Sequence, residues 1–286
     1  MSADVLTPIV DDAPVRREGR SPGSRIWGWV WPKLMAIAIV LALWELLYLI
    51  LVTWTGKRPE YIFPAPATAL SSFWEMVGTS RFWEYVATTM QRAVIGYSIA
   101  LLIGTLVGLA VARSQALRAG VGSLITGLQT MPSIAWFPFA IVVMGYNESA
   151  ITLVVLIGAA PSIANGVLSG IDHIPPQFLR LGDVLGARGV ARYRHIVVPA
   201  MLPNYVSGLN QGWAFAWRSL MAGELLGVAG ATLGLGNALN AARNMNDMGK
   251  LEAVMIAILI IGMLVDGIFT SISGGLRRRR GLTIDR

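Results

Sequence analysis

Six apolar runs divide the chain, at 34–52, 93–112, 119–145, 150–171, 205–229 and 253–273. Each approaches or exceeds the ~20 residues an α-helix needs to cross hydrocarbon. None alternates apolar and polar positions as a barrel strand does, and backbone groups in lipid must be satisfied within their own segment, so six transmembrane helices are predicted. The fold class expected is an all-α membrane protein: a six-helix bundle over 34–273, preceded by a polar segment 1–33 expected to be disordered and followed by a basic tail 274–286. The run that follows the polar N-terminus is too long for a signal-peptide core and no A-x-A-like site closes it, so it is read as a span.

The polar stretches between the runs carry pattern of their own. In the loop 172–204, Pro175 and Pro176 suit the first turn of a helix on which Phe178, Leu181 and Leu185 share one face. Gly186 supplies the backbone freedom that ends this helix. A second helix is expected over 190–198, with Pro199 and Pro203 marking the return to the membrane. Ahead of span two, Phe63-Pro64-Ala65-Pro66 leads into 67–77, where Leu70, Phe73, Trp74 and Val77 recur at helical spacing and predict an interfacial helix. The third run is interrupted by Pro132 and Pro138, which remove two intrahelical hydrogen bonds. It is expected to be kinked or unwound there, either as a packing kink or as a break facing the bundle interior. Gly104/Gly108 and Gly166/Gly170 are small-residue pairs where helices could approach closely.

Basic residues orient the bundle. Sixteen of the 23 Lys and Arg fall in the N-terminal segment, the 113–118 loop, the 172–204 loop and the tail; six, Arg92 among them, fall on the other side, and Arg218 lies within a span. Both termini and the 172–204 loop are therefore expected to be cytoplasmic. The net charge of +7 is mostly this asymmetry, and the Arg277–Arg280 run reads as a topology anchor near anionic lipid rather than a nucleic-acid site. A composition 55% hydrophobic and 14% charged, with mean hydropathy +0.60, excludes a soluble domain.

Catalytic chemistry is not supported. The chain has no cysteine, no phosphate-binding P-loop, no G-x-S-x-G elbow, and two histidines, His173 and His195, without metal-ligand spacing. Charge within the spans is what remains: Glu45, Arg218, Glu224 and Asp266. Such groups generally face a cavity or a partner, although Glu45 and Asp266 stand near span ends where they can snorkel. Arg218 and Glu224 are about 120° apart around a helix and do not pair with each other. Their segment also carries Asn210, Gln211, Trp213 and Trp217, and it is expected to line a pathway rather than face lipid.

The loop resembles the EAA loop of ABC-importer permeases: Gly186, nine residues, then Ile196-Val197-Val198-Pro199. Upstream it departs, with Arg180-Leu181-Gly182 where that family usually has Glu-Ala-Ala. The Pro-x-Pro segment, the broken third span and the stretch Trp213…Glu224…Gly234-Leu235-Gly236 extend the resemblance over most of the chain, to permeases of the nitrate, sulfonate, taurine and bicarbonate group. It implies a type I importer architecture with a cytoplasmic coupling helix, in a bacterial inner membrane. It further implies a second permease copy, two cytoplasmic ATPase subunits and an extracytoplasmic substrate-binding protein. No cofactor is expected in this chain; ATP and Mg would be bound by the partner ATPase. Coupling would fall to Phe178, Leu181, Asp183, Leu185, Gly186, Ala187 and Arg188, and the translocation path to Gln129, Met131, Trp136, Trp213, Arg218 and Glu224. The cargo implied is a small oxyanion or zwitterion. An ion-coupled secondary transporter and a membrane enzyme acting on lipid-linked substrates are the alternatives.

Overall fold

The computed structural model describes residues 22–56, 59, 61–230 and 233–279. Among them every regular element is helical. The chain divides into two units at Lys57. The first contains α1 (Pro22–Tyr48), which continues in π-helical turns over Leu49–Trp54. Residues 1–21 of the segment expected to be disordered lie outside the described residues, as does the tail from 280; from Pro22 to Lys33 the chain is helical rather than disordered.

The second unit is the helical bundle. α2 (Pro66–Val77) has Pro66 in its first turn, and the side chain of Thr79 caps α3 (Ser80–Ala112) by accepting from the Phe82 amide. Ser114 caps α4 (Gln115–Thr130) in the same way. The break expected in the third run is present and severe: after α4 the chain passes through a 3-10 turn, Ser133–Trp136, into α5 (Phe137–Met144), and the two halves are bent by 104°. Asn147 then caps α6 (Glu148–Asp172). α7 (Pro176–Val184) and α8 (Val190–Arg192) form the loop, π-helical turns over Tyr193–Val197 lead into α9 (Val198–Leu225), and α10 (Leu235–Asn244) and α11 (Met248–Arg279) complete the unit. Pro199 and Pro203 mark the return to the bundle at the start of α9 and do so without interrupting the chain. Pro199 occupies the first turn of α9, where an amide is not needed, and Pro203 is absorbed inside the helix.

α6 is the axis of the bundle, packed between α3 and α9. A Cβ on Gly104 would stand 2.6 Å from the Ala160 carbonyl and one on Gly108 would stand 2.8 Å from Val167 Cβ, so these glycines let α3 lie directly on α6. Gly166 faces Gly208 and Gly170 faces Met201 just as closely, which seats α9 on the opposite side. The pairings rise together between α3 and α6 and run oppositely between α6 and α9. The first turns of α3 and α6 and the end of α9 therefore share one end of the bundle, and Asp172, α7 and the start of α9 share the other.

Four helices among the described residues are long and apolar enough to cross a membrane, or five if α4 and α5 form one bent span. The six expected spans are thus not all recovered by length and composition. α9 carries Asn204, Asn210, Gln211, Arg218 and Glu224, and much of it is sheathed by protein.

Candidate functional site

At the Asp172 end, α7 stands out from the bundle as an amphipathic helix with its apolar face uncovered. Phe178, Leu181 and Leu185 are exposed, Leu185 by 73%. The helix ends where Gly186 adopts φ +72°, and the Ala187 amide donates to the Gly182 carbonyl at 2.9 Å, a left-handed cap that favours glycine. Asp183 pairs with Arg192 at 3.2 Å, tying α7 to α8, and Arg188 is exposed between them. A groove of about 750 Å³ runs beneath, lined by Phe178, Leu181, Leu185, His195, Ile196 and Pro199 among others. Gly182, part of the departure at 180–182, packs against Ile196: a Cβ there would meet the terminal Cδ1 methyl of the isoleucine, which would have to turn aside. Arg118 and Asp172 form a second ion pair at this end.

The other end holds a buried ionic clasp. The Glu224 side chain is 0% exposed and accepts from Arg92 Nη1 at 2.8 Å, from Thr89 Oγ1 at 3.0 Å and from the Gly236 amide at 2.9 Å at the start of α10. Arg92 also binds Glu148 through Nη2 at 2.7 Å and donates from Nη1 to the Leu233 carbonyl at 2.9 Å. Thr89 Oγ1 in turn accepts from the Leu235 amide. Gly234 and Gly236 close around the carboxylate: a Cβ on Gly234 would stand 2.8 Å from its oxygens, and one on Gly236 would stand 2.5 Å from Glu224 Cβ. A carboxylate with this many donors, beside a helix N-terminus, is a satisfied buried charge that joins α3, α6, α9 and α10. Sequence reasoning missed Arg92, Thr89 and Glu148. The apolar window of span two starts at Ala93 and leaves Arg92 outside the membrane, whereas α3 begins at Ser80.

The remaining path candidates separate. Arg218 is on a different face of α9 from Glu224; it is exposed, with Nε donating to the Ala214 carbonyl and the guanidinium 4.7 Å from the Phe215 ring centroid. Among the described residues no carboxylate lies within ion-pair distance of it. Trp213 is buried in the α3–α6–α9 core with its ring 5.3 Å from Tyr97 and 6.1 Å from Trp217, and Trp136 packs against that same core. Gln129 and Met131 sit at the end of α4, just before the bend, with Met131 exposed. The Gln129 amide nitrogen and the Trp213 indole nitrogen are buried without a hydrogen-bond partner among the described residues.

Comparison with known proteins adds three kinds of finding. Residues 100–280 match the family described as "Binding-protein-dependent transport system inner membrane component". Relatives include the putative aliphatic sulfonates transport permease protein SsuC of Bacillus subtilis, 23% identical over 86% of this chain and 86% of its own. The taurine transport system permease protein TauC of Escherichia coli is 25% identical over 85% of this chain and 90% of its own. The nitrate import permease protein NrtB of Synechococcus elongatus is 28% identical over 82% and 84%. Among solved structures, the inward-facing MetNI methionine ABC transporter in its CY5 native crystal form superposes with TM-score 0.52 at 21% identity, covering 68% of this chain and 93% of that one. An amino acid ABC transporter with histidines gives 0.56 at 18%, covering 72% and 98%. At these identities the structures speak for the fold alone.

Proposed function

The chain belongs to the binding-protein-dependent transport system inner membrane components, and from that premise we propose that it couples ATP hydrolysis in a partner subunit to the import of a small oxyanion or zwitterion. It is the permease subunit of an ABC importer, a transport protein and not an enzyme. The observation that carries the coupling role is α7: an exposed apolar face, ended by Gly186, at the end of the bundle where α6 stops and α9 begins. In this reading Phe178, Leu181, Leu185 and the segment Asp183 to Arg188 seat on a cytoplasmic ATPase. Closure of the ATPase dimer moves α7 as a lever, and α6 and α9 swing a cavity between a second copy of this chain and the first from inward- to outward-facing. A binding protein delivers the solute on the opposite side.

The cargo class rests on the relatives' transport of sulfonates, taurine and nitrate, and on Arg218, a cation with no ion-pair partner among the described residues of this copy. A guanidinium offers an oxyanion several donors in one plane. Uptake of radiolabelled aminoethanesulfonate and nitrate, measured with the subunit copurified with its ATPase and reconstituted, tests both parts. Leu181→Asp is expected to leave the subunit inserted but abolish uptake, and Arg218→Gln to reduce anion uptake about tenfold or more, the loss of a charge-assisted contact. Normal uptake by Leu181→Asp sinks the lever; normal uptake by Arg218→Gln removes Arg218 from the path.

A further inference from the structure

At the clasp end of the bundle a second cavity, of about 550 Å³ and lined by polar and apolar groups alike, opens between the first turns of α3, the α5–α6 turn, the segment after α9 and α10. Three asparagines on α10, Asn237, Asn240 and Asn244, line it, and their spacing of three and four residues sets them on one face. Tyr85 and Tyr146 add phenols, Tyr146 donating to the Leu226 carbonyl at 3.0 Å. Among the described residues its lining carries a single formal charge, Arg81, and no carboxylate. Arg81 also borders an adjoining cavity with Glu75 and Asp247, but among the described residues neither is within ion-pair distance of it. The acids of the clasp are engaged elsewhere, Glu148 with Arg92 and Glu224 with Arg92, Thr89 and Gly236. Asn240 Oδ1 is buried with no hydrogen-bond partner among the described residues.

A concave site with one uncompensated guanidinium and a row of amides is built to take a monoanion in directed hydrogen bonds. The orphaned acceptor adds a second requirement, because a buried carbonyl oxygen left unpaired is destabilising and an ammonium group satisfies it. We propose that this cavity is a binding subsite of the permease itself for a small sulfonate-type monoanion, with preference for one that also carries an amine. The inference rests on the anionic-cargo reading above and adds to it a place and a selectivity. Arg81 with the Asn244 amide takes the oxyanion, and Asn240 Oδ1 takes an N–H from the ammonium, which nitrate and simple alkanesulfonates lack.

The test uses the permease with its ATPase in lipid nanodiscs, without binding protein, and radiolabelled aminoethanesulfonate as probe. Saturable binding is expected, displaced by ethanesulfonate more weakly than by unlabelled probe and not by choline. Arg81→Gln, and Asn244→Asp with its repelling carboxylate, should each weaken binding about tenfold or more, while Arg81→Lys keeps most of it. Asn240→Leu should bring aminoethanesulfonate down to the affinity of ethanesulfonate. Absence of displaceable binding to wild type, or equal binding by Arg81→Gln, overturns the subsite. Import of the same anions by the intact assembly separates two failures: import without Arg81-dependent binding overturns the subsite alone, and no import overturns the cargo reading with it.

Discussion

Glu224 is the residue on which the clasp end of the bundle converges, and its environment sets what substitution should do. Removing one member of a buried, hydrogen-bonded ion pair leaves the other charged and enclosed, which typically destabilises by about 3–5 kcal/mol, whereas replacing both with apolar residues is far better tolerated. Glu224→Ala should therefore lower the thermal stability of the purified subunit markedly, and Arg92→Met combined with Glu224→Met should lose much less than the sum of the single changes. Additive losses in that cycle would show that Arg92 and Glu224 are not coupled. Glu224 was legible in the sequence as a charge within a span that needed a partner; the partner was not. Apolar windows start span two at Ala93, but α3 continues back through Arg92, Glu84 and Arg81 because Thr79 caps it and Phe82 packs against Leu235 and Ala257. The pairing is a property of tertiary structure, with Thr89 and Glu224 separated by 135 positions.

Helices differ in how much of them local sequence encodes, and the reasons are equally physical. α7 and its Gly186 stop follow from local spacing and turn chemistry, and they fall where expected. The helix expected over 190–198 runs on past its expected end, because the π-helical turns over Tyr193–Val197 carry the chain into α9 without a break at Pro199 or Pro203. Glycines show the limit most plainly. Gly208 and Gly120 look alike in sequence, yet a Cβ on Gly208 would fall 2.5 Å from Gly166 Cα, while nothing lies within 4 Å of one on Gly120. Gly208→Ala should force α6 and α9 apart and destabilise by about 1–3 kcal/mol. Gly120→Ala should be neutral or stabilise α4 by up to about 1 kcal/mol. Thermal unfolding of the two variants in the same detergent checks the contrast, and equal effects would contradict the close α6–α9 crossing.

At the scale of the molecule, packing as well as composition decides which helices can cross the membrane. Among the described residues composition alone recovers four spans, or five with the bent pair, but α9 lies antiparallel beside α6 from Ser219 at Gly158 to Met201 at Gly170. Wherever α6 spans, α9 covers the same depth, shielded by protein instead of being apolar throughout. Reporter fusions after Arg20, Glu148 and Arg286 should read inside, outside, inside; an odd number of crossings would move α7 away from any cytoplasmic ATPase. The clasp also bears on how such a bundle comes into being. Arg92 and Glu224 are 132 positions apart, so at about 5–20 residues per second a ribosome delivers the guanidinium roughly 7–26 s before its buried carboxylate. Through that interval α3 is already made while the acid, the glycines that enclose it and α10 are still to come. The end of the bundle bearing the clasp is therefore sealed late in biogenesis, and a nascent chain stalled before the last turn of α9 holds its most enclosed cation without its most enclosed anion.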